Sequence, residues 1–204
     1  MSSDTKITLS ADELQLVSNR DWILTKRSIM DKTVNMFSHI AETVQGRILN
    51  KAVVLPEEIR KASPKITKGE NYLGLPYVIL DYPARFGKAD IFAIRSMFWW
   101  GNFYSCTLHL AGIYKLQFEA NIMKHIQTAE QFGCCLGINE DPWQHHFEPD
   151  NYQAITALKI SDINAIMAQQ NFMKLAVKFP LQHVNEMPGI LAQHILMMID
   201  LLQD

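Results

Sequence analysis

The sequence predicts an α+β domain, and three observations carry that expectation. Strand-like runs at residues 91–100 and 103–111 flank Gly101-Asn102, and a helical apolar stripe extends from Ile23 to Ile48. Apolar residues make up 48% of the chain and charged residues 20%, which is globular composition. At 204 residues the chain is expected to form one domain, 1–204, with a helical N-terminal part over 1–62 and a sheet-containing body over 70–204. The expected sheet is antiparallel. It combines the hairpin near 91–111 with strands near 76–82 and 172–179, packs against helices, and is followed by an apolar C-terminal helix.

Ser10 and Glu13 have capping-box spacing and open a short helix ending near Asn19. From Asp21 a longer helix places Ile23, Met30, Val34, Phe37, Ala41, Val44 and Ile48 at steps of mainly three and four. Gly46 is its weak point. Pro56 to Lys61 suits a short helix, with Pro at its start and two acids at the positive end of the dipole. Ser63 to Gly69 reads as a loop between the helical part and the strands.

Pro76 to Tyr82 is rich in Val, Ile and Tyr and is closed by Pro83. Ile91 to Trp100 is apolar on both parities except at Arg95 and Ser96, as in a central strand covered on both faces. Phe103 to Ala111 alternates, with Tyr104, Cys106, Leu108 and Leu110 on one face and Phe103, Ser105, Thr107 and His109 on a partly wet one. Gly101-Asn102 is expected as a two-residue turn of type II′. Gly112 breaks the strand, Leu116, Ala120 and Met123 then mark a helix of roughly four to five turns ending before Gly133, and Cys134 to Ile138 resembles a short buried strand. Residues 139–152 form a loop, and Ser161 caps a helix of about ten residues. Met173, Leu175, Val177 and Phe179 alternate with Lys174, Ala176 and Lys178, predicting a half-exposed strand. The last helix begins near Pro188.

Formal net charge is −2. Residues 1–69 carry 11 Lys and Arg against 8 Asp and Glu, and the remainder carries 8 against 13. That balance argues against a nucleic-acid partner. Three cysteines form no disulfide framework, Met1 to Lys6 lacks the apolar core of a signal peptide, and no apolar run has membrane-spanning length. A cytoplasmic address is therefore expected, with no membrane partner. Nucleotide-binding glycine loops and the hydrolase nucleophile elbow are absent from the sequence.

Two groups of residues carry chemistry. Glu140 to Asp150 holds six metal-ligating or acid–base side chains in eleven residues, with no Lys or Arg between Lys124 and Lys159. His145, His146, Asp141 and Glu148 are its metal candidates, and His145 and Glu148 its bases. Against this, adjacent histidines on an extended segment point opposite ways. A polar surface loop pinned by Trp143 and Phe147 explains the same residues. Arg95 and His109 are the polar residues most at odds with their strands. With Tyr104 nearby they form a candidate pocket for an anionic ligand; a structural ion pair of Arg95 with Asp81 or Asp90 explains the same arginine. Convergence of the loop on Arg95, His109 or Asp81 would favour an enzyme.

The Phe98-Trp99-Trp100 run has no Lys or Arg interleaved from 96 to 114, so it reads as core. Cys134 and Cys135 read as buried thiols. Arg60, Lys61, Lys65 and Lys68 form a modest basic patch of a solvated loop. The last helix, apolar from Ile190 to Leu202, is either central or the contact of a homo-oligomer. The expected function is a non-catalytic small-ligand or protein-interaction module that self-associates. The alternative is a metal-assisted hydrolase, or other enzyme, acting through residues 140–150.

Overall fold

The computed structural model describes residues 7–50 and 55–204. Helix α1 (Ala11–Ser18) starts at Ser10, whose hydroxyl accepts the Glu13 N–H while the Glu13 carboxylate accepts the Ser10 N–H, as the spacing predicts. All of α1 is exposed. Helix α2 (Arg20–Asn50) continues through Gly46 and buries Met30, Phe37, Ile40, Ala41, Val44 and Ile48. The expected stripe is therefore the packed face from Met30 onward, while Trp22, Ile23 and Leu24 are exposed. A single turn, α3 (Glu57–Arg60), follows.

Seven strands form one sheet in the order β1-β2-β3-β4-β7-β5-β6, every neighbouring pair antiparallel. The first four are a meander: β1 (Lys65–Tyr72), β2 (Leu75–Phe86), β3 (Ile91–Trp99) and β4 (Phe103–Ala111). Helices α4 (Ile113–Lys124) and α5 (Ile126–Gln131) lead to the short strands β5 (Cys135–Gly137) and β6 (Tyr152–Ala154). Helix α6 (Ile160–Gln169) then delivers β7 (Phe172–Pro180) beside β4, and α7 (Met187–Asp200) ends the fold. The α+β class and the helix-packed antiparallel sheet are as expected. No helix among the described residues is long and apolar enough to cross a membrane.

Local readings differ in several places. Strand β2 is not closed by Pro83 but continues to Phe86, pairing with β3 out to Phe86↔Ile91. Ser63 to Gly69 is not all loop, because β1 pairs with β2 from Lys65↔Asp81 to Gly69↔Tyr77. Its charged residues suit an edge strand, where side chains reach water and exposed backbone must be protected from further pairing. The β3–β4 connection has three residues rather than two, since Trp99 pairs with Phe103. Gly101 supplies the positive φ of that turn, +73°. The helix after Gly112 breaks at His125. Ser161 lies inside helix α6 instead of capping it: the N-cap is Lys159, whose N–H the Asp162 carboxylate accepts at 3.3 Å.

One sheet face carries Val78, Leu80, Phe92, Ile94, Cys106, Leu108, Leu110, Met173, Leu175 and Val177, all buried in the main core with α2, α4 and α7. Helix α7 lies inside the fold: Met187, Leu191, Ile195, Met198 and Ile199 are enclosed against α2 and the sheet. The opposite face is buried as well. His109 and Thr107 on β4 and Lys174 on β7, expected on wet or half-wet faces, are all buried, with Lys174 only 2% exposed. Among the described residues, no helix packs over that face. The β5–β6 connection does.

Candidate functional site

Residues 138–151 fold back across the second face as a strap. Asp141 organises its first half: its carboxylate accepts the Trp143 N–H at 2.9 Å and the Gln144 side-chain amide at 2.8 Å. The Asn151 side chain, donating to the His146 carbonyl, closes the second half. The sheet holds the strap at several points. The Tyr72 hydroxyl accepts both the His145 N–H (2.7 Å) and the His146 N–H (3.1 Å), and the Lys174 ammonium donates to the Gln144 carbonyl. Trp143 meets His109 edge-on with centroids 5.4 Å apart, and Phe147 stacks on Tyr152 at 4.6 Å. Both rings expected to pin the loop pack against the body.

Beneath the strap, Asp81 on β2 and Arg95 on β3 are direct cross-strand partners. Two hydrogen bonds, Nε to Oδ1 at 2.7 Å and Nη2 to Oδ2 at 3.0 Å, make the pair bidentate. Of the two carboxylates considered for Arg95, Asp81 pairs it. Asp90 instead accepts the Ile113 N–H at the start of α4. Arg95 Nη1 lies 3.0 Å from His145 Nε2. A guanidinium only donates, so the imidazole accepts through Nε2 and carries its hydrogen on Nδ1.

Burial and the neighbouring cations hold these bases neutral. Enclosure, then Arg95 and Lys174, push His145 down to about 2. Enclosure, then Lys174 and Arg95, push His109 down to about 3. Lys174 falls to about 7, first from loss of hydration and then from Arg95, with Asp141 opposing. Its ammonium lies 4.9 Å from the centre of the Tyr152 ring.

The structure thus brings Arg95, His109 and His145 under one strap, and leaves the other candidates elsewhere. Tyr104 is on the helix-covered face against Phe98, with burial raising its phenol pKa and Thr33 beside it. Asp141 is engaged within the strap and Glu148 is exposed. His146 Nδ1 sits 3.9 Å from the exposed Asp150 carboxylate. Among the described residues, no group of three or more His, Cys, Asp and Glu side chains is placed to hold a metal ion. Sequence reasoning missed Tyr72 and Lys174. Lys174 alternates with apolar neighbours like any wet-face residue, and only the strap makes its face dry.

A cavity of about 240 Å³ opens beside Arg95 and His145. Thr67, Ile79 and Met97 from β1, β2 and β3 line it, with the rings of Tyr72, Tyr77 and Trp143. The hydrogen-bond inventory is one-sided. Of the five N–H groups of Arg95, two go to Asp81 and one to His145, leaving two with no partner among the described residues. The Tyr72 oxygen already accepts two amides, so what it has left to offer is its own O–H. Burial raises its pKa, which keeps that hydrogen in place. The larger cleft between α2 and β1, about 500 Å³, differs: its lysines are already paired, Lys26 with Glu70 and Lys68 with Asp31.

No protein-family model, curated protein or solved structure matches this chain.

Proposed function

We propose that the chain is a small-ligand-binding domain whose site is the strap-roofed pocket at Arg95, and that its ligand presents an oxyanion, a carboxylate or phosphate group. The supporting observation is the excess of donors. Arg95, with two N–H groups unspent among the described residues, and Tyr72, with its O–H, line a cavity that has no carboxylate in its walls, and the nearby Asp81 is already engaged by the same guanidinium. An acceptor-rich anion matches such a surface, and guanidinium recognises it with directional hydrogen bonds. Asp81 presets the Arg95 fork, so little side-chain freedom remains to be lost on binding. The strap does converge on Arg95 and His109, the arrangement that favours an enzyme, but the metal-assisted form of that alternative draws less support. His145 has its Nε2 turned to Arg95, and its neighbouring carboxylates serve the strap or face water. The three cysteines are free thiols, in keeping with a reducing, cytoplasmic setting.

The test is a titration of isotope-labelled protein with acetate and with inorganic phosphate at low ionic strength. At least one is expected to shift the His145 and His146 amides and the Trp143 indole signal saturably, at millimolar concentration, about 4 kcal/mol of binding. If both anions leave those signals unmoved up to about 50 mM, a level corresponding to negligible affinity, the reading is wrong.

A further inference from the structure

We infer that the oxyanion is carried on a single flat ring, so that the pocket takes a monocyclic aromatic carboxylate. This rests on the oxyanion reading and narrows it. The first ground is size. A dry cavity of about 150 Å³ in another protein accommodates benzene. The pocket here is about 240 Å³, which is room enough for one ring and a carboxylate.

The second ground is the chemistry of the walls. Arg95, Tyr72 and His145 supply polar groups, while Tyr77, Trp143, Met97 and Ile79 supply ring faces, a thioether and an aliphatic surface. The Tyr72 and Tyr77 rings meet each other edge to face, at 86° with centroids 6.4 Å apart, and both line the cavity. Aromatic guests favour edge-to-face and offset contacts of this kind. Methionine sulfur adds a polarizable contact that aromatic rings attract.

The third ground is that the Tyr77 wall is built into the backbone. Its ring lies over Gly69 on the paired strand, where a Cβ would collide with the ring carbons and hydroxyl. Glycine at that position lets the ring lie down against β1 and form the wall.

The experiment compares four probes by calorimetry or by Trp143 signals: acetate, benzoate, cyclohexanecarboxylate and benzyl alcohol. Benzoate is expected to bind at least about tenfold tighter than acetate and tighter than cyclohexanecarboxylate, with benzyl alcohol weakest among the ring compounds. Tyr77→Leu is expected to reduce benzoate affinity several-fold more than acetate affinity. If acetate binds and benzoate binds no better, or cyclohexanecarboxylate equals benzoate, the ring assignment is overturned while the oxyanion reading stands. If benzyl alcohol equals benzoate, both are overturned; if none of the three carboxylates binds, the ring assignment is overturned, and the oxyanion reading falls with it when inorganic phosphate also fails to bind.

Discussion

The two faces of the same sheet are buried by different means. On one, Leu80, Ile94, Leu108 and Leu175 meet α2, α4 and α7 in a continuous apolar core. On the other, Asp81, Arg95, Thr107, His109 and Lys174 lie under fourteen residues of irregular chain, 138–151. Apolar burial stabilises in proportion to area and tolerates change of shape. Enclosing ionisable groups costs free energy unless each is paired, and apolar replacements of similar volume are often as stable. A fold of this size could have had apolar residues at these positions. Instead it encloses a guanidinium, an amine and two imidazoles, the groups on which the proposed oxyanion site rests.

The largest expected effect separates the faces by what repairs a defect. Asp81→Ala removes the partner of an enclosed Arg95 and is expected to cost about 3–5 kcal/mol in denaturant unfolding. Adding Arg95→Met should recover most of that loss. Leu108→Ala on the helix-covered face is expected to cost about 2–5 kcal/mol, through lost burial and a residual cavity. No second truncation should restore it. If the Asp81/Arg95 double variant stays as unstable as Asp81→Ala, the ion pair supports the fold rather than the site.

An intermediate effect follows from pH. His145 and His109 fall to about 2 and about 3 in the folded chain. Their ordinary value in an unfolded chain is about 6.5. Between these limits the unfolded chain holds the protons and the folded chain does not. Stability therefore falls as pH drops from about 6.5 toward 3, by up to about 1.4 kcal/mol per pH unit for each group. Lys174, lowered to about 7, acts in the same sense on the alkaline side. Stability rises as pH increases from about 7 toward 10.5, where the unfolded amine also loses its proton. His145→Gln should flatten the acid limb and Lys174→Met the alkaline one. Unchanged slopes in both variants would show that these groups are hydrated in solution.

Periodicity made the helix-covered face legible. The α2 stripe from Met30 to Ile48, the two runs around Gly101 and the alternation in β7 all encode which side chains share a side. Half of the site was legible for a related reason: Arg95 and His109 interrupt patterns that otherwise want burial, and Asp81 was within reach of pairing. Alternation assigns residues to two faces but does not say what covers the second. Lys174, Thr107 and His109 therefore read as wet or half-wet. The strap has neither period, and its position depends on distant partners, Tyr72 and Lys174. Tyr72 was hidden because β1 is polar and Gly-containing, and pairing with β2 makes it a strand.

The smallest expected effect tests whether the faces are independent. Tyr104 and Phe103 are neighbours on β4, and parity sends Tyr104 to the helices, where its ring lies 5.2 Å from Phe98. Phe103 goes toward the strap, 5.2 Å from Phe147. Tyr104→Phe removes a hydroxyl beside Thr33, changing stability by about 1 kcal/mol or less. Because the sheet backbone separates that hydroxyl from Arg95, benzoate and acetate affinities should match the parent protein. A fivefold loss would mean that strain crosses β4, and that the apolar face helps set the geometry of the pocket. Equal affinities would leave Tyr104 as core and confine the site to residues that the strap touches.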